Sequence, residues 1–92
     1  MIGRRVALLE EIEKPGDYAG PLTIASADGD EQTCFFMGPG CDHLGRVAFP
    51  PHTYRECPDG SLEIRASIMN YAHGTCPDWH GYLDEGHNWR QV

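Results

Sequence analysis

Cysteine and histidine side chains concentrate in two short stretches of the 92-residue chain. The first stretch, GPGCDH, carries Cys41 and His43, and the second, CPDWH, carries Cys76 and His80. Thiolate and imidazole groups are the usual ligands of structural zinc, which takes them as close pairs from separate loops. The sequence therefore predicts a zinc site whose ligands are Cys41, His43, Cys76 and His80.

The pattern departs from the commonest zinc motifs, because Cys-x-x-Cys occurs nowhere in the chain. Cys34 is an alternative fourth ligand in place of His43. The competing interpretation assigns no metal: Cys34 is then a buried strand residue and Cys57 a loop thiol, since free cysteine is commonly buried as a small apolar side chain. The histidines are ordinary core or surface groups in that interpretation.

A catalytic interpretation uses the same residues. Cys76 with His80, or Cys41 with His43, could form a thiolate–imidazole pair. No third residue that would orient the base is evident, and Cys-x-His is a poor spacing for a nucleophile and its base. A zinc ion with three protein ligands would keep the open position that catalysis needs. We therefore name no catalytic residue, and an enzyme remains the less favoured alternative.

The elements that must position these residues are short strands separated by turns. Alternating polar and apolar residues predict strands, and Asp-Gly pairs predict tight turns between them. Asp28-Gly29 should close one hairpin and Glu85-Gly86 the last one, while residues 69–78 form a turn-rich loop. The N-terminal segment 4–14 suits either a strand or a short helix. The predicted strands are residues 21–26, 31–37, 45–49, 61–68, 79–84 and 87–92.

Six or seven short strands with little helix predict a mainly β fold. We expect residues 1–92 to form one small domain, an antiparallel sheet that is either curled or folded into a small sandwich. A chain of this length has a thin core, which a metal or a cross-link would stabilise most. Trp79, Tyr82 and Trp89, together with the three phenylalanines, should supply most of that core.

Charge and composition restrict the partners. The formal net charge is -7 and only Lys14 is a lysine, so phosphate backbones are repelled and direct nucleic-acid binding is disfavoured. No stretch has the ~20 apolar residues of a membrane span, and no signal peptide is recognisable. We expect a cytoplasmic protein, in which the four cysteines would be metal ligands or free thiols rather than disulfides.

The order of four motifs, PGDY, FFMGPGCDHLGRVAFP, DGSLEIRASI and CPDWHGYLDEG, resembles a family of small uncharacterised phage and bacterial proteins. Its members have a Cys-Pro-x-Cys loop, and some carry a misleading monooxygenase label. The resemblance spans about residues 15–91. It implies a zinc-binding Cys/His cluster, with Cys41, Cys76 and His80 at matching positions. Gly38 stands where relatives have their first loop cysteine.

The resemblance transfers no enzymatic activity, since the family is a domain of unknown function. We therefore expect a non-enzymatic accessory protein of phage or prophage type that binds another protein. An alternative is an acidic anti-defence inhibitor, similar in role to anti-CRISPR proteins, that blocks a basic nucleic-acid-binding surface of a host complex. Size and net charge motivate this alternative.

Overall fold

The computed structural model describes residues 1–71, 74 and 76–92, and it is built from two four-stranded sheets. A 3-10 turn covers Leu9–Glu11. The predicted loop 69–78 includes positions 72, 73 and 75, which lie outside the described residues. The strands are β1 Arg4–Arg5, β2 Asp17–Ser26, β3 Gly29–Met37, β4 Leu44–Phe49, β5 Thr53–Glu56, β6 Leu62–Asn70, β7 Trp79–Asp84 and β8 Asn88–Gln91.

The first sheet has the strand order β1-β2-β3-β4. β2 and β3 form the hairpin that the Asp28-Gly29 pair predicts, with Gly29 at a φ of +111°, a conformation that glycine adopts without strain. β4 continues the sheet antiparallel to β3, whereas β1 pairs with β2 in parallel. The N-terminal segment thus contains both a two-residue strand and a 3-10 turn, so each of the two alternatives holds for part of it.

The second sheet has the order β5-β6-β7-β8, and all its pairs are antiparallel. No strand was predicted where β5 lies. The hairpin of β7 and β8, by contrast, agrees with the prediction. The alternation expected for β6 is wrong at Ala66, which is exposed although it should share the buried face of Leu62 and Ile64. A register shift between Ile64 and Ile68 interrupts the alternation at Ala66, and Ile68 then faces the core again, as Leu62 and Ile64 do.

The two sheets share one hydrophobic core, which confirms a mainly β fold with almost no helix. Phe36 of the first sheet contacts Trp89 of the second, with ring centroids 5.5 Å apart. Tyr18 meets the same indole edge-on at 6.0 Å, and Trp79 meets it at 5.7 Å. The buried residues of the core are Tyr18, Cys34, Phe36, Val47, Phe49, Leu62, Ile64, Ile68, Trp79, Leu83 and Trp89.

The N-terminal segment joins the two sheets along one side. Ile2 forms a bridge with Asn88 beside β8, and Gly3 N–H donates to the His87 carbonyl at 2.7 Å. The next two residues form β1 in the other sheet. Arg5 then binds both carboxylate oxygens of Glu56 in β5, at 2.6 and 2.9 Å. Consequently, one short segment contacts both layers of the fold.

Within the described part of the chain, no helix has the length and apolar character needed to cross a bilayer.

Candidate metal site

The loop between β3 and β4 carries Cys41, Asp42 and His43, of which Cys41 and His43 are predicted ligands. The loop turns at Gly38, where the Cys41 N–H donates to the Gly38 carbonyl at 3.0 Å. Gly40 lies within this turn at a φ of +72°, which a side chain would strain. The turn directs Cys41 inward, where it is 4% exposed, and the next two residues, Asp42 and His43, lead into β4.

Cys76 approaches this loop from the second sheet, just before β7. Its sulfur is bonded to that of Cys41, and the two Cα atoms are 5.0 Å apart. Our expectation that the cysteines would be metal ligands or free thiols is therefore wrong for this pair in the state described. The reason is proximity: the fold brings two buried sulfurs together at the junction of the sheets, and such a pair can oxidise. Cys34 and Cys57 are reduced and buried.

Four residues bring possible metal ligands together at this junction, and we call Cys41, Asp42, His43 and Cys76 the corner. One ligand atom from each residue lies within 4.8 Å of all the others, so the corner could hold a metal ion. Its composition is two sulfurs, one imidazole nitrogen and one carboxylate oxygen. Zinc accepts each of these donors.

The distances within the corner suit a tetrahedral ion. Ligand atoms around zinc are separated by about 3.3–3.8 Å, as bond lengths of about 2.0–2.3 Å require. His43 Nδ1 lies 3.4 Å from Cys76 Sγ, and Asp42 Oδ1 lies 3.7 Å from the same sulfur. Asp42 Oδ1 and His43 Nδ1 are closer, at 2.9 Å. A metal ion would therefore need to separate these last two atoms and also the two sulfurs, which are bonded to each other here.

The corner has a buried side and an exposed side. The two cysteines are 4% and 3% exposed, whereas the side chains of His43 and Asp42 are 42% and 75% exposed. The His43 backbone N–H also points at Cys41 Sγ, at 3.4 Å. That amide would stabilise a thiolate after reduction.

The structure brings three of the four predicted ligands together and places His80 elsewhere. His80 is the second residue of β7, so its side chain faces away from that of the core residue Trp79. Its Nε2 lies 2.9 Å from Ser67 Oγ. The spacing Cys-x-x-x-His suggested a shared tight turn, but a strand begins within it.

Cys34, the alternative fourth ligand, lies in the core and outside the corner. It is fully buried, and burial raises the pKa of its thiol to about 12. A thiol of this kind is almost entirely protonated at neutral pH, and only the thiolate binds metal well. The structure thus agrees with the interpretation of Cys34 as a buried strand residue.

Sequence reasoning missed Asp42 as a member of the corner. Its position between Cys41 and His43 was a usable signal, because a residue in a tight loop shares the surroundings of its neighbours. His87 is half-buried in the last turn and contacts the core. Its Nδ1 lies 2.6 Å from the hydroxyl of the buried Tyr18, which also accepts the Leu62 N–H at 3.2 Å. The hydrogen bond between the Tyr18 hydroxyl and His87 ties the last turn to the core.

Comparison of the chain with protein-family models, curated proteins and solved structures gives no match.

Proposed function

We propose that this protein is a small non-enzymatic binding module whose two sheets are fastened by a zinc ion at the corner when its cysteines are reduced. The observation that carries the proposal is the group of four ligand atoms within 4.8 Å. Sulfur and imidazole donors favour zinc over the oxygen-seeking calcium and magnesium ions. Because Cys41 and Cys76 belong to different sheets, a shared ion would fasten one sheet to the other.

The donor count supports a structural role over a catalytic one. Structural zinc has four protein ligands, whereas catalytic zinc keeps one position open for water or substrate. The corner supplies two sulfurs, His43 and Asp42, which complete a tetrahedron. Burial of both sulfurs also keeps them from a large substrate.

Metal analysis of reduced protein tests the zinc. The protein is purified without a histidine tag, reduced with a phosphine, incubated with a small excess of zinc, dialysed to remove unbound metal and assayed for bound metal. We expect about one zinc ion per chain. When cobalt replaces zinc, the site should show the thiolate-to-metal absorption of a tetrahedral cobalt ion. Zinc below about 0.2 equivalents in reduced, folded protein would refute the proposal.

Two histidine variants separate the predicted ligand sets. His43→Gln removes a side chain of the corner, whereas His80→Gln removes one that contacts Ser67. We expect the first to weaken zinc binding by ~10-fold or more and the second to leave it unchanged, because loss of a metal ligand costs at least as much as loss of its supporting group. Equal weakening by both variants would show that His80 is a ligand and that the corner rearranges.

The outer face of the second sheet supports the binding role. The Tyr82 ring lies between two guanidinium groups, those of Arg65 at 5.0 Å and Arg90 at 4.5 Å, and Asp84 holds both arginines. Met69, opposite His80 in the adjacent strand, is 45% exposed. Tyrosine, arginine and methionine are enriched where proteins contact other proteins. We infer that a partner protein binds this face.

Site-specific photocrosslinking tests that face. A crosslinking amino acid at Met69 on the second sheet is compared with one at Thr23, an exposed position on the first sheet. We expect a discrete partner adduct from the Met69 position only. Tyr82→Ala should reduce its yield, since aromatic residues dominate interface energies. The same adducts from both positions would refute the assignment of this face.

A further inference from the structure

The sulfurs of Cys41 and Cys76 can bond either to each other or to a metal ion. Cys41 Sγ and Cys76 Sγ are bonded to each other in this structure, yet they are also half of the metal-binding group. A sulfur in a disulfide has lost the thiolate charge that makes cysteine a good metal ligand. The disulfide and the zinc site are therefore alternative states of one corner, and a chain can hold only one of them at a time.

The two states need similar positions of the surrounding chain. A disulfide sets its sulfurs about 2.05 Å apart, and a tetrahedral zinc ion sets them about 3.8 Å apart. Rotation about the two Cα–Cβ bonds and a small shift of the loops can supply this difference. Gly40 and Gly74, on the two sides of the corner, have positive φ values of 72° and 59° and no side chain to obstruct the shift.

Exposure within the corner gives the metal a route out. The ligands on the solvent side are His43 and Asp42, and the sulfurs lie behind them. An ion could leave past the two exposed side chains while the cysteines stay covered. The net charge of the corner is also unchanged, because zinc with two thiolates carries the same charge as a disulfide.

We propose that the corner is a redox-alternating clasp, in which oxidation of the Cys41 and Cys76 thiolates by a peroxide forms the disulfide and releases the zinc ion. This inference rests on the proposed function, since it requires the reduced corner to bind zinc. It adds that the two sheets stay fastened in both states. The protein would therefore keep its fold in reducing and oxidising conditions, and oxidation would deliver zinc.

The chemistry balances with hydrogen peroxide as the two-electron oxidant. One thiolate attacks a peroxide oxygen, the O–O bond breaks, and a sulfenic acid forms with hydroxide as the leaving group. The second thiolate attacks that sulfur, the S–S bond forms, the S–O bond breaks, and a second hydroxide leaves. Two protons from solvent convert the hydroxides to water. The zinc ion departs because its two thiolate ligands are gone.

The test measures metal and disulfide on the same sample. Reduced, zinc-loaded protein is titrated with hydrogen peroxide, released zinc is followed with a chromophoric chelator, and the Cys41–Cys76 link is counted by peptide mass spectrometry. We expect one zinc ion released for each disulfide formed. Cys57→Ser, which changes a reduced cysteine outside the corner, should behave identically. Cys76→Ser should form no such link.

Stability measurements complete the test. We expect the oxidised protein and the reduced zinc-loaded protein to have melting temperatures within a few degrees of each other, and both to exceed the reduced, zinc-free protein. His43→Gln should lower the melting temperature of the reduced zinc-loaded form and leave the oxidised form unchanged, because only the metal needs the imidazole. This contrast is specific to a corner with two fastened states.

Several results would overturn the inference. Zinc retained after the disulfide has formed, oxidation to sulfinic acid without a disulfide, or a clear loss of stability on oxidation would each contradict it. All three leave the proposed function standing, since they presuppose bound zinc. Absence of zinc from the reduced protein would instead refute the proposed function, and the inference with it.

Discussion

The covalent link between Cys41 and Cys76 gives the largest predicted effect on stability. The two cysteines are 35 residues apart in sequence, so the disulfide closes a long loop in the unfolded chain. The chain-entropy relation for a loop of that length gives about 13 cal/mol/K, or about 4 kcal/mol at 25 °C. We expect Cys41→Ser/Cys76→Ser, in the absence of metal, to lose that amount of unfolding free energy. In a domain of this size, the loss corresponds to a melting temperature lower by roughly 20 °C.

Urea denaturation with a metal chelator present measures the loss. Trp79 and Trp89 lie in the shared core, so their fluorescence reports on the packing of the sheets. The matched control is chemical: a dithiol reductant should lower the stability of the wild type by the same amount and leave the double variant unchanged. Cys34 and Cys57 are already reduced, so they contribute nothing to that difference.

A small effect would refute the reasoning. If the double variant loses less than about 1 kcal/mol of unfolding free energy, the disulfide does not stabilise the protein by restricting the unfolded chain. A reductant that destabilises the double variant as much as the wild type would show that the effect arises elsewhere. Either result would mean that the hydrophobic core fastens the sheets without help from the corner.

Three further predictions concern the polar contacts that support the core. Burial raises the pKa of Tyr18 to about 12. The stability that the buried hydroxyl contributes, on the order of 2 kcal/mol, is therefore complete below pH ~10 and is lost between about pH 10 and 12. Tyr18→Phe should remove that part of the alkaline loss of stability, as measured by urea titrations. Burial alone would raise the pKa of Asp17, but hydrogen bonds from Arg4 and two backbone N–H groups outweigh it and hold the pKa below 3.8. The stability that Asp17 contributes is therefore present above that pH and lost as the pH falls further. Asp17→Asn should reduce stability at neutral pH and flatten the fall of stability at acid pH. An unchanged fall would refute the role given to Asp17. Glu56→Gln should cost about 1 kcal/mol at low salt and less at high salt, because the half-exposed pair with Arg5 is screened, and a cost independent of salt would contradict this.

Local patterns predicted the hairpins and the two loops of the corner, because these depend on residues close in sequence. Asp28-Gly29 and Glu85-Gly86 specify their turns through backbone conformation. β5 escaped prediction because its four residues are all exposed, so no alternation marks it. The pairing of β1 beside β2 depends on distant partners, which no local pattern records.

The corner shows the same limit at the level of side chains. The sequence identified Cys41, His43 and Cys76 because their types and spacing are typical of ligands. His80 has equally suitable chemistry, but the alternation of β7 places it on the face of Ser67. Asp42 has a side chain too common to stand out, and only the loop geometry assigns it. The choice between disulfide and metal depends on redox conditions, which no sequence contains.

The pairing of the N-terminal segment also has a consequence for the order of folding. Met1 and Trp89 exchange backbone hydrogen bonds across 88 residues, and these bonds seat the segment beside β8. Contacts of such sequence separation are costly to close and slow to form. The N-terminal segment is made before all other described elements. It therefore cannot take its place beside β8 until β8 has been made. Until the N-terminal segment is in place, β2 and β8 each have an open edge, where a neighbouring chain could pair instead.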